Sequence, residues 1–284
     1  MTNNLVGITV ESILDDLLFR LEKVSDTPGL DAQGILARLL GKPRSWVMAH
    51  PEASLSGDMV AALESLLVRL EAGEPLPYVL GRWEFFGLEF EVSADVLIPR
   101  PETELLVERA IAWLQVHPDC VHVADIGTGS GCIGIALAAN VPGLRVAATD
   151  ISPRALEIAR RNAAENGVDA QIDFFCQDLL PSEGEFNLIV ANLPYIPTNT
   201  LHKLPIYGRE PTIALDGGAD GLALIRRLLL EAPDRLLPGG LLLIEIEASE
   251  GPAVLSLVCD AFGEAEIHLH KDLAGHERLL EVQV

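Results

Sequence analysis

The sequence predicts an α/β protein in which a small helical bundle precedes a doubly wound, mostly parallel sheet. Three observations lead to this fold class. Apolar residues recur at helical spacing through the first 72 residues, short apolar runs alternate with helical patterns after residue 120, and a glycine-rich segment joins the first of those runs to a helix. The length of 284 residues suits two domains.

The amino-terminal helices are predicted from three apolar stripes. Isoleucine and leucine recur at helical spacing in 13–21, 35–40 and 63–70, and each stripe has a charged opposite face. Asp31 is the expected N-cap of the second helix, because short polar side chains favour that position. We therefore expect a helical bundle at residues 1–72.

A break in this periodicity marks the boundary to the second part of the chain. Glycine and proline are concentrated in 73–77, which is the best candidate for a linker. Aromatic and β-branched residues around Gly87 then predict a β-hairpin, so we assign 73–98 to a linker and hairpin. The remaining residues, 99–284, form the predicted α/β domain.

Seven strands are expected in the α/β domain. Alternation of strands and helices favours a parallel sheet, and the tail is typical of a hairpin that closes the sheet with two antiparallel strands. The predicted strands are 121–126, 145–149, 172–175, 187–191, 241–246, 265–270 and 278–284. The predicted helices lie near 131–140, 153–166, 220–236 and 250–262.

Composition disfavours several classes of function. With 20 basic and 42 acidic residues the formal net charge is −22, which argues against broad binding to nucleic-acid phosphates. No uncharged apolar run approaches the ~18 residues of a membrane span, and the amino end does not resemble a signal peptide. Scattered cysteines without a C-x-x-C pair, and His268 and His270 without a firm third ligand, predict neither disulfides nor a metal site. We expect a cytoplasmic protein without membrane contacts.

A glycine-rich segment after the first strand of the α/β domain is the strongest motif for a ligand site. Asp125-Ile126-Gly127-Thr128-Gly129-Ser130-Gly131, called the glycine loop below, opens a helix, and its glycines let a ligand approach the backbone. Three glycines from Gly129 to Gly134 also fit the dinucleotide pattern, and Asp150 lies 21 residues after Gly129, near the position of a ribose-binding acid. A nicotinamide dinucleotide and S-adenosylmethionine are therefore both candidate ligands.

Two further features favour S-adenosylmethionine. Asp125 ends the first strand two residues before the first glycine, where its carboxylate can meet a ligand's ammonium or order the loop. Gln177-Asp178 follows the third strand, where an adenine lies if a nucleoside crosses the carboxyl ends of the first three strands. Asp150 also precedes Ser152, a suitable helix cap, and a ribose-binding role and a place beside this cap are compatible.

A polar turn follows the fourth strand, at the sheet edge where open α/β folds place their chemistry. It is Asn192-Leu193-Pro194-Tyr195, called the Asn192 turn below. A site that methylates an amide or an aromatic amine holds the NH₂ group by its hydrogens, and the Asn192 side-chain oxygen and the Leu193 carbonyl can be the two acceptors. Pro194 stiffens the turn, and the Tyr195 ring can cover the planar group. The alternative is an ordinary Asn-Pro type of turn with a core tyrosine.

Motifs along essentially the whole chain support the methyl-donor interpretation. They are, in order, Pro77–Gly81, Phe85–Gly87, Val96–Glu104, the glycine loop, the Asn192 turn, Glu210-Pro211, Ala214–Gly218 and Asp272–Arg278. Together they resemble the peptide chain release factor glutamine methyltransferase family. Leu97–Glu104 is the most specific part, because glycine loops and similar turns occur in many methyltransferases.

The resemblance implies a Rossmann-like class I methyltransferase sheet that transfers a methyl group from S-adenosyl-L-methionine to a glutamine side-chain amide nitrogen. The glutamine is that of the Gly-Gly-Gln motif of release factors, and the second product is S-adenosyl-L-homocysteine. The implied partners are therefore release factors, contacted by the helical domain, with no metal and no direct nucleic-acid binding. We expect a monomer.

The resemblance also assigns roles by position. The implied catalytic residues are Asn192, Pro194 and Tyr195. The implied donor-binding residues are Asp125, Gly127, Thr128, Gly129, Ser130, Gly131 for the methionine part, Asp150 for the ribose, Asp178 and Leu179 at the adenine, and Asn192. The implied substrate-binding residues are Asn192, Leu193, Pro194, Tyr195, Arg100 and Glu102; Arg100 and Glu102 alternatively pair with each other and cap the next helix.

Two positions depart from the family pattern. The usual turn is Asn-Pro-Pro-Tyr, and Leu193 replaces its first proline while keeping the backbone carbonyl. Since Asn-Leu-Pro-Tyr also occurs in ribosomal RNA adenine dimethyltransferases, an N6-adenine methyltransferase acting on RNA or DNA is the main alternative. Glu247 stands where glycine is common, and nothing functional follows from it. A nicotinamide dehydrogenase or a non-catalytic binding protein would leave the Asn192 turn without a task.

Overall fold

The protein is described by a computed structural model that covers residues 8–25 and 27–284. The chain divides into two units, Met1–Gly81 and Arg82–Val284. Each has its own apolar core, and Val79 belongs to the first core whereas Phe85 and Phe90 belong to the second.

The first unit is built from helices whose apolar stripes face one another. Its core contains Leu17, Leu36 and Leu67 from three different helices, which is the arrangement that the leucine periodicity predicts. The helices are α1 Val10–Leu21, α2 Pro28–Leu40, α3 Arg44–Ala49, α4 Gly57–Glu71 and α5 Leu76–Leu80.

The predicted N-cap of the second helix is wrong. α2 begins at Pro28, with Thr27 in the N-cap position, because a proline suits the first helical turn where no N–H partner is needed. Asp31 lies inside that turn, and its carboxylate accepts hydrogen bonds from the hydroxyls of Ser25 at 2.6 Å and Thr27 at 3.2 Å. The acidic side chain still favours the helix start electrostatically.

A two-stranded hairpin opens the second unit. Its strands are β1 Arg82–Phe85 and β2 Leu88–Glu91, and the intervening Phe86 and Gly87 have φ values of 53° and 73°. Positive φ at both central residues matches the twist of a tight hairpin. The hairpin is shorter than the predicted segment, because the Asn162 side chain binds the backbone N–H and carbonyl of Glu91 and ends the pairing there.

Seven strands form the main sheet, as predicted, with the last hairpin antiparallel. Their spatial order is β5-β4-β3-β6-β7-β9-β8. The strands are β3 His122–Ile126, β4 Arg145–Asp150, β5 Ile172–Cys176, β6 Phe186–Ala191, β7 Leu236–Glu245, β8 Glu266–Lys271 and β9 Glu277–Gln283. The helices are α6 Glu104–Val116, α7 Cys132–Asn140, α8 Pro153–Glu165, α9 Thr198–Leu201, α10 Ala223–Glu231 and α11 Gly251–Phe262.

One helix and its following strand differ from the predicted bounds. α10 ends at Glu231, earlier than the predicted end at 236, because Pro233 disfavours helical backbone in the residue before it. β7 starts at Leu236 and pairs with Phe186, so it is longer at its amino end than predicted.

The register of the parallel strands positions the candidate site. Ile126, at the end of β3, pairs with Thr149 of β4 and with Ala191 of β6. The carboxyl ends of these strands therefore meet at one edge, and the glycine loop, Asp150 and the Asn192 turn all start there. In the described part of the chain, no helix is long and apolar enough to span a membrane.

Candidate active site

A cavity of about 640 Å³ lies at this edge of the second unit. Its walls come from the glycine loop, the ends of β4 and β5, the Asn192 turn, the segment before α6 and the loop before α10. A concave, mostly apolar pocket at the point where strand order reverses is the usual ligand site of a doubly wound sheet.

The glycine loop forms one wall of the cavity with residues 127–130. Its three glycines have positive φ between 57° and 84°, a conformation that other residues rarely adopt. Gly131 does not line the cavity. A Cβ there would lie 2.7 Å from Ile135 Cδ1 and 3.2 Å from Ala159 Cβ, so this glycine allows the helices behind the loop to pack closely.

Asp125 is fully buried beneath the loop and does not line the cavity. Its Oδ2 accepts hydrogen bonds from the Thr128 hydroxyl at 2.6 Å and the Gly134 N–H at 3.0 Å. Burial raises the pKa of Asp125 to about 6, against the lowering effect of these two donors. Of the two roles considered from the sequence, the geometry favours ordering the loop. Oδ1 has no hydrogen-bond partner among the described residues.

Asp150 lines the cavity next to the glycine loop. Its Oδ2 accepts the Gly129 N–H at 2.9 Å and its Oδ1 accepts the Ser152 N–H at 2.8 Å. Burial raises the pKa of Asp150, and the backbone donors oppose that shift. Ser152 caps α8 by accepting the Ala155 N–H at 3.2 Å, so Asp150 lies beside the predicted helix cap as well as in the cavity wall.

Asp178 and Leu179 form the wall that follows β5. The Asp178 Oδ2 lies 2.7 Å from an Arg227 guanidinium nitrogen, an ion pair about half exposed on both sides. Leu179 is buried with a φ of 56°, which turns the chain sharply around the pocket. The sequence reasoning placed both residues at this wall but did not identify Arg227 as a partner.

The Asn192 turn forms the wall opposite. Asn192 Nδ2 donates to the Thr103 hydroxyl at 3.0 Å, and Asn192 Oδ1 has no hydrogen-bond partner among the described residues. The Leu193 side chain is buried against the glycine loop, where a Cβ on Gly127 would lie 3.1 Å from Leu193 Cδ2. Pro194 also lines the cavity. The turn thus presents an unpaired amide oxygen from a packed backbone.

Tyr195 ends the turn and is turned away from the lining residues. Its hydroxyl donates to Glu245 Oε1 at 3.3 Å. Burial, followed by the nearby Glu245 charge, raises the pKa of Tyr195, so the phenol is neutral at physiological pH. The hydroxyl therefore fixes the ring by a hydrogen bond and does not serve as a base.

Arg100 and Glu102 are separated by the structure. Arg100 lines the cavity and forms an ion pair with Glu210, whose side chain is 4% exposed. Glu210 also accepts the Ile98 N–H at 3.1 Å. Glu102 is exposed and does not line the cavity, so the predicted pairing of Arg100 with Glu102 is wrong and the partner lies 110 residues away.

Three polar residues of the site were not assigned a role from the sequence: Thr103, Glu210 and Glu245. All are buried. Burial raises the pKa of Glu245 to about 7, and the hydroxyls of Thr103 and Tyr195 oppose that shift. Thr103 and Glu210 lie in motifs that carried the family resemblance, and a glutamate at the end of an apolar strand was the available signal for Glu245.

The candidate metal-binding histidines have other partners. His268 lies 2.9 Å from Glu266 and His270 lies 2.9 Å from Glu281, while Asp272 pairs with Arg278. Among residues 8–25 and 27–284, no group of three or more His, Cys, Asp or Glu side chains is arranged to hold a metal ion.

Comparisons with known proteins match both units. A family model of the PrmC N-terminal domain matches residues 12–81, and a model of the methyltransferase small domain matches residues 103–203. The release factor glutamine methyltransferase of Bordetella pertussis is 40% identical over 256 residues, which are 89% of this chain and 93% of that protein. The enzyme of that name from Vibrio cholerae is 39% identical over 278 residues, 96% of both chains.

A solved structure supports the fold. The crystal structure of the hMettl16 catalytic domain in complex with an RNA hairpin has a TM-score of 0.54 to this chain at 16% sequence identity. The match covers 80% of this chain and 82% of the other. The two proteins share a methyltransferase sheet.

Proposed function

The chain belongs to the release factor glutamine methyltransferase family, and on that premise we propose that the Asn192 turn holds the glutamine amide of a release factor for methylation. The protein is an S-adenosylmethionine-dependent methyltransferase that modifies the glutamine side-chain nitrogen of the Gly-Gly-Gln motif. One observation carries the assignment of residues: Asn192 gives its NH₂ group to Thr103 and keeps an unpaired oxygen at the cavity.

The chemistry of an amide explains why such an oxygen is needed. The lone pair of an amide nitrogen is delocalised, so the nitrogen is a weak nucleophile and has to be aimed at the methyl group. Asn192 Oδ1 and the Leu193 carbonyl bind the two amide hydrogens and orient the nitrogen. Leucine in place of the usual proline keeps this carbonyl. Pro194 stiffens the turn, and the Tyr195 ring, fixed through Glu245, supports it from behind.

The cavity also fits the methyl donor. S-adenosylmethionine supplies an electrophilic methyl group on a positively charged sulfur. The glycine loop leaves backbone exposed without a Cβ, and Asp125 Oδ1 is a buried acceptor without a protein partner directly below it. In the proposal, residues 127–131 hold the methionine part, Asp150 the ribose, and Asp178 with Leu179 the adenine. Asp125 acts mainly by ordering the loop, and no residue of this arrangement calls for a metal.

The helical unit has a separate proposed task. We assign residues 1–72 to recognition of the release factor, 73–98 to the linker and hairpin, and 99–284 to methyl transfer. The net charge of −22 favours attraction of a basic loop on a ribosome-binding factor and disfavours a nucleic-acid substrate. Arg100 lies on the substrate side of the cavity wall, with Glu102 outside it. We further propose a monomeric enzyme that acts in the cytoplasm.

Incubation with radiolabelled S-adenosylmethionine tests this proposal. The expected result is label in a purified release factor, and no label when the glutamine of its Gly-Gly-Gln motif is replaced by alanine. Ribosomal RNA is the parallel substrate for the adenine alternative. Label in RNA with none in the release factor would overturn the proposal. Stabilisation by S-adenosylhomocysteine but not by NAD in a thermal melt checks the donor independently.

A further inference from the structure

Glu245 is a buried carboxyl that the proposed methyl transfer does not use directly. It ends β7, next to the strand that leads into the Asn192 turn, since Ala191 pairs with the preceding Ile244. Its residue surface is 2% exposed. The Tyr195 hydroxyl donates to Oε1 at 3.3 Å, and Oε2 has no hydrogen-bond partner among the described residues. A carboxyl in such a place is costly unless it has a structural or functional task.

Thr103 connects this carboxyl to Asn192. The Thr103 hydroxyl accepts a hydrogen bond from Asn192 Nδ2 at 3.0 Å, and it faces Glu245, where it favours the charged form of the carboxyl. Thr103 is itself buried, at the start of α6. Glu245 therefore reaches both ends of the Asn192 turn, through Thr103 to its first residue and directly to its last.

The direction of these hydrogen bonds depends on the charge of Glu245. An ionised carboxylate only accepts, so it takes the single hydrogen of the Thr103 hydroxyl. The hydroxyl oxygen is then left to accept from the Asn192 NH₂ group, and Asn192 Oδ1 stays available at the cavity. A protonated Glu245 can instead donate to Thr103, whose hydrogen is then free to bind Asn192 Oδ1.

We propose that Glu245 is a positioning residue: its carboxylate, acting through Thr103, determines which end of the Asn192 amide faces the methyl-acceptor site, while its contact with the Tyr195 hydroxyl holds the other end of the turn. This inference rests on the proposed role of Asn192 in binding the glutamine amide.

The surroundings of Glu245 make this arrangement sensitive to pH. Burial raises the pKa of Glu245 to about 7, Arg278 lowers it, and Glu102 raises it. The remaining titratable groups that face it are the phenol of Tyr195 and the thiol of Cys132, and both stay neutral because their pKa values are raised. We therefore expect kcat to fall as pH drops through about 7 and Glu245 takes up a proton.

Substitutions at the two ends of the relay test the proposal. Glu245→Gln removes the charge, and Thr103→Val removes the hydroxyl while keeping the shape of the side chain. Thr103→Ser keeps the hydroxyl and is the matched rescue variant. Glu281→Gln changes another buried glutamate of the same sheet, one paired with Arg109 and remote from the turn, and is the control for a general loss of stability. All are measured in the full chain with a release factor as substrate.

The readouts separate positioning from folding. We expect Glu245→Gln and Thr103→Val to lower kcat by about 10- to 100-fold, as expected when a reacting group is misplaced, and to abolish the dependence of kcat on pH near neutrality. KM for the release factor and calorimetric affinity for S-adenosylhomocysteine stay within about twofold of the wild type. Thr103→Ser and Glu281→Gln keep the wild-type kcat and pH profile.

The proposal is overturned if folded Glu245→Gln and Thr103→Val enzymes keep the kcat and pH profile of the wild type. It is also overturned if Thr103→Ser loses as much kcat as Thr103→Val, because shape and not the hydroxyl would then matter. A wild-type enzyme that binds S-adenosylhomocysteine but never labels a release factor contradicts the proposed function instead, and that result is seen before any variant is made.

Discussion

The Asp125 carboxylate and Gly134 are in direct contact. Asp125 Oδ2 accepts the Gly134 N–H at 3.0 Å, and a Cβ on Gly134 would lie 2.9 Å from that same oxygen. The third glycine of the dinucleotide-like pattern is thus required by the acid that orders the glycine loop. This contact explains the spacing without a second phosphate, and it suggests how the loop can be perturbed from outside the cavity.

Gly134→Ala is expected to destabilise the protein. The added methyl group would also meet Val146 Cγ1 at 3.2 Å, so the overpacking should cost about 1–3 kcal/mol, more than the helix propensity that alanine gains. Affinity for S-adenosylhomocysteine should fall as the loop shifts. Gly34→Ala is the control, because nothing lies within 4 Å of its added Cβ in α2, and it should stabilise the protein slightly. Urea unfolding and calorimetry measure both effects, and equal stability of the two variants would contradict this account.

Asp125→Asn is expected to change how stability depends on pH. The pKa of Asp125 is raised from 3.8 to about 6 in the folded protein, so the folded state binds more protons than the unfolded state between these values. The wild type therefore loses stability from this group as pH rises from about 4 to 6, by at most about 3 kcal/mol. Asparagine removes that loss. Melting curves should show the variant gaining on the wild type with rising pH, and a constant difference from pH 4 to 8 would disprove the assignment.

Asn192→Ala is expected to abolish methylation while leaving donor binding largely intact. Its side-chain oxygen is one of two proposed acceptors for the glutamine amide, and loss of such a contact costs about 10²- to 10³-fold in kcat. The matched control is Asn140→Ala, which removes an amide that binds only the Ala136 carbonyl within α7. Single-turnover labelling and calorimetry measure the two quantities. An equal loss of donor affinity in Asn192→Ala would show that Asn192 serves mainly the donor.

Arg100→Ala is expected to destabilise the cavity wall and to raise KM for the release factor. It leaves Glu210 buried without its cation, although Glu210 keeps the Ile98 N–H, and Arg100 itself is 30% exposed. The cost should therefore be about 1–3 kcal/mol, below that of a fully buried pair. Arg82→Ala breaks the more exposed pair with Glu165 and should cost about 0–1 kcal/mol. Chemical denaturation ranks the two, and the opposite order would refute this interpretation.

Local sequence patterns were sufficient for most of the fold. Apolar runs, glycines and helix caps act over a few residues, so they predicted the seven strands, the closing hairpin and the meeting of the glycine loop with the Asn192 turn at one sheet edge. They failed at Asp31 and at 232–236, where a proline outweighed the expected cap or helix end.

By itself, the sequence determined the family, the sheet and the edge at which the chemistry takes place, because these follow from periodicity and from motifs placed directly after strands. Only the tertiary structure decided the partners of the buried charges. Arg100 meets Glu210, and Tyr195 meets Glu245, across 110 and 50 residues of chain. Such pairs depend on strand register and on which carboxyls are removed from water, and neither is encoded in the residues beside them.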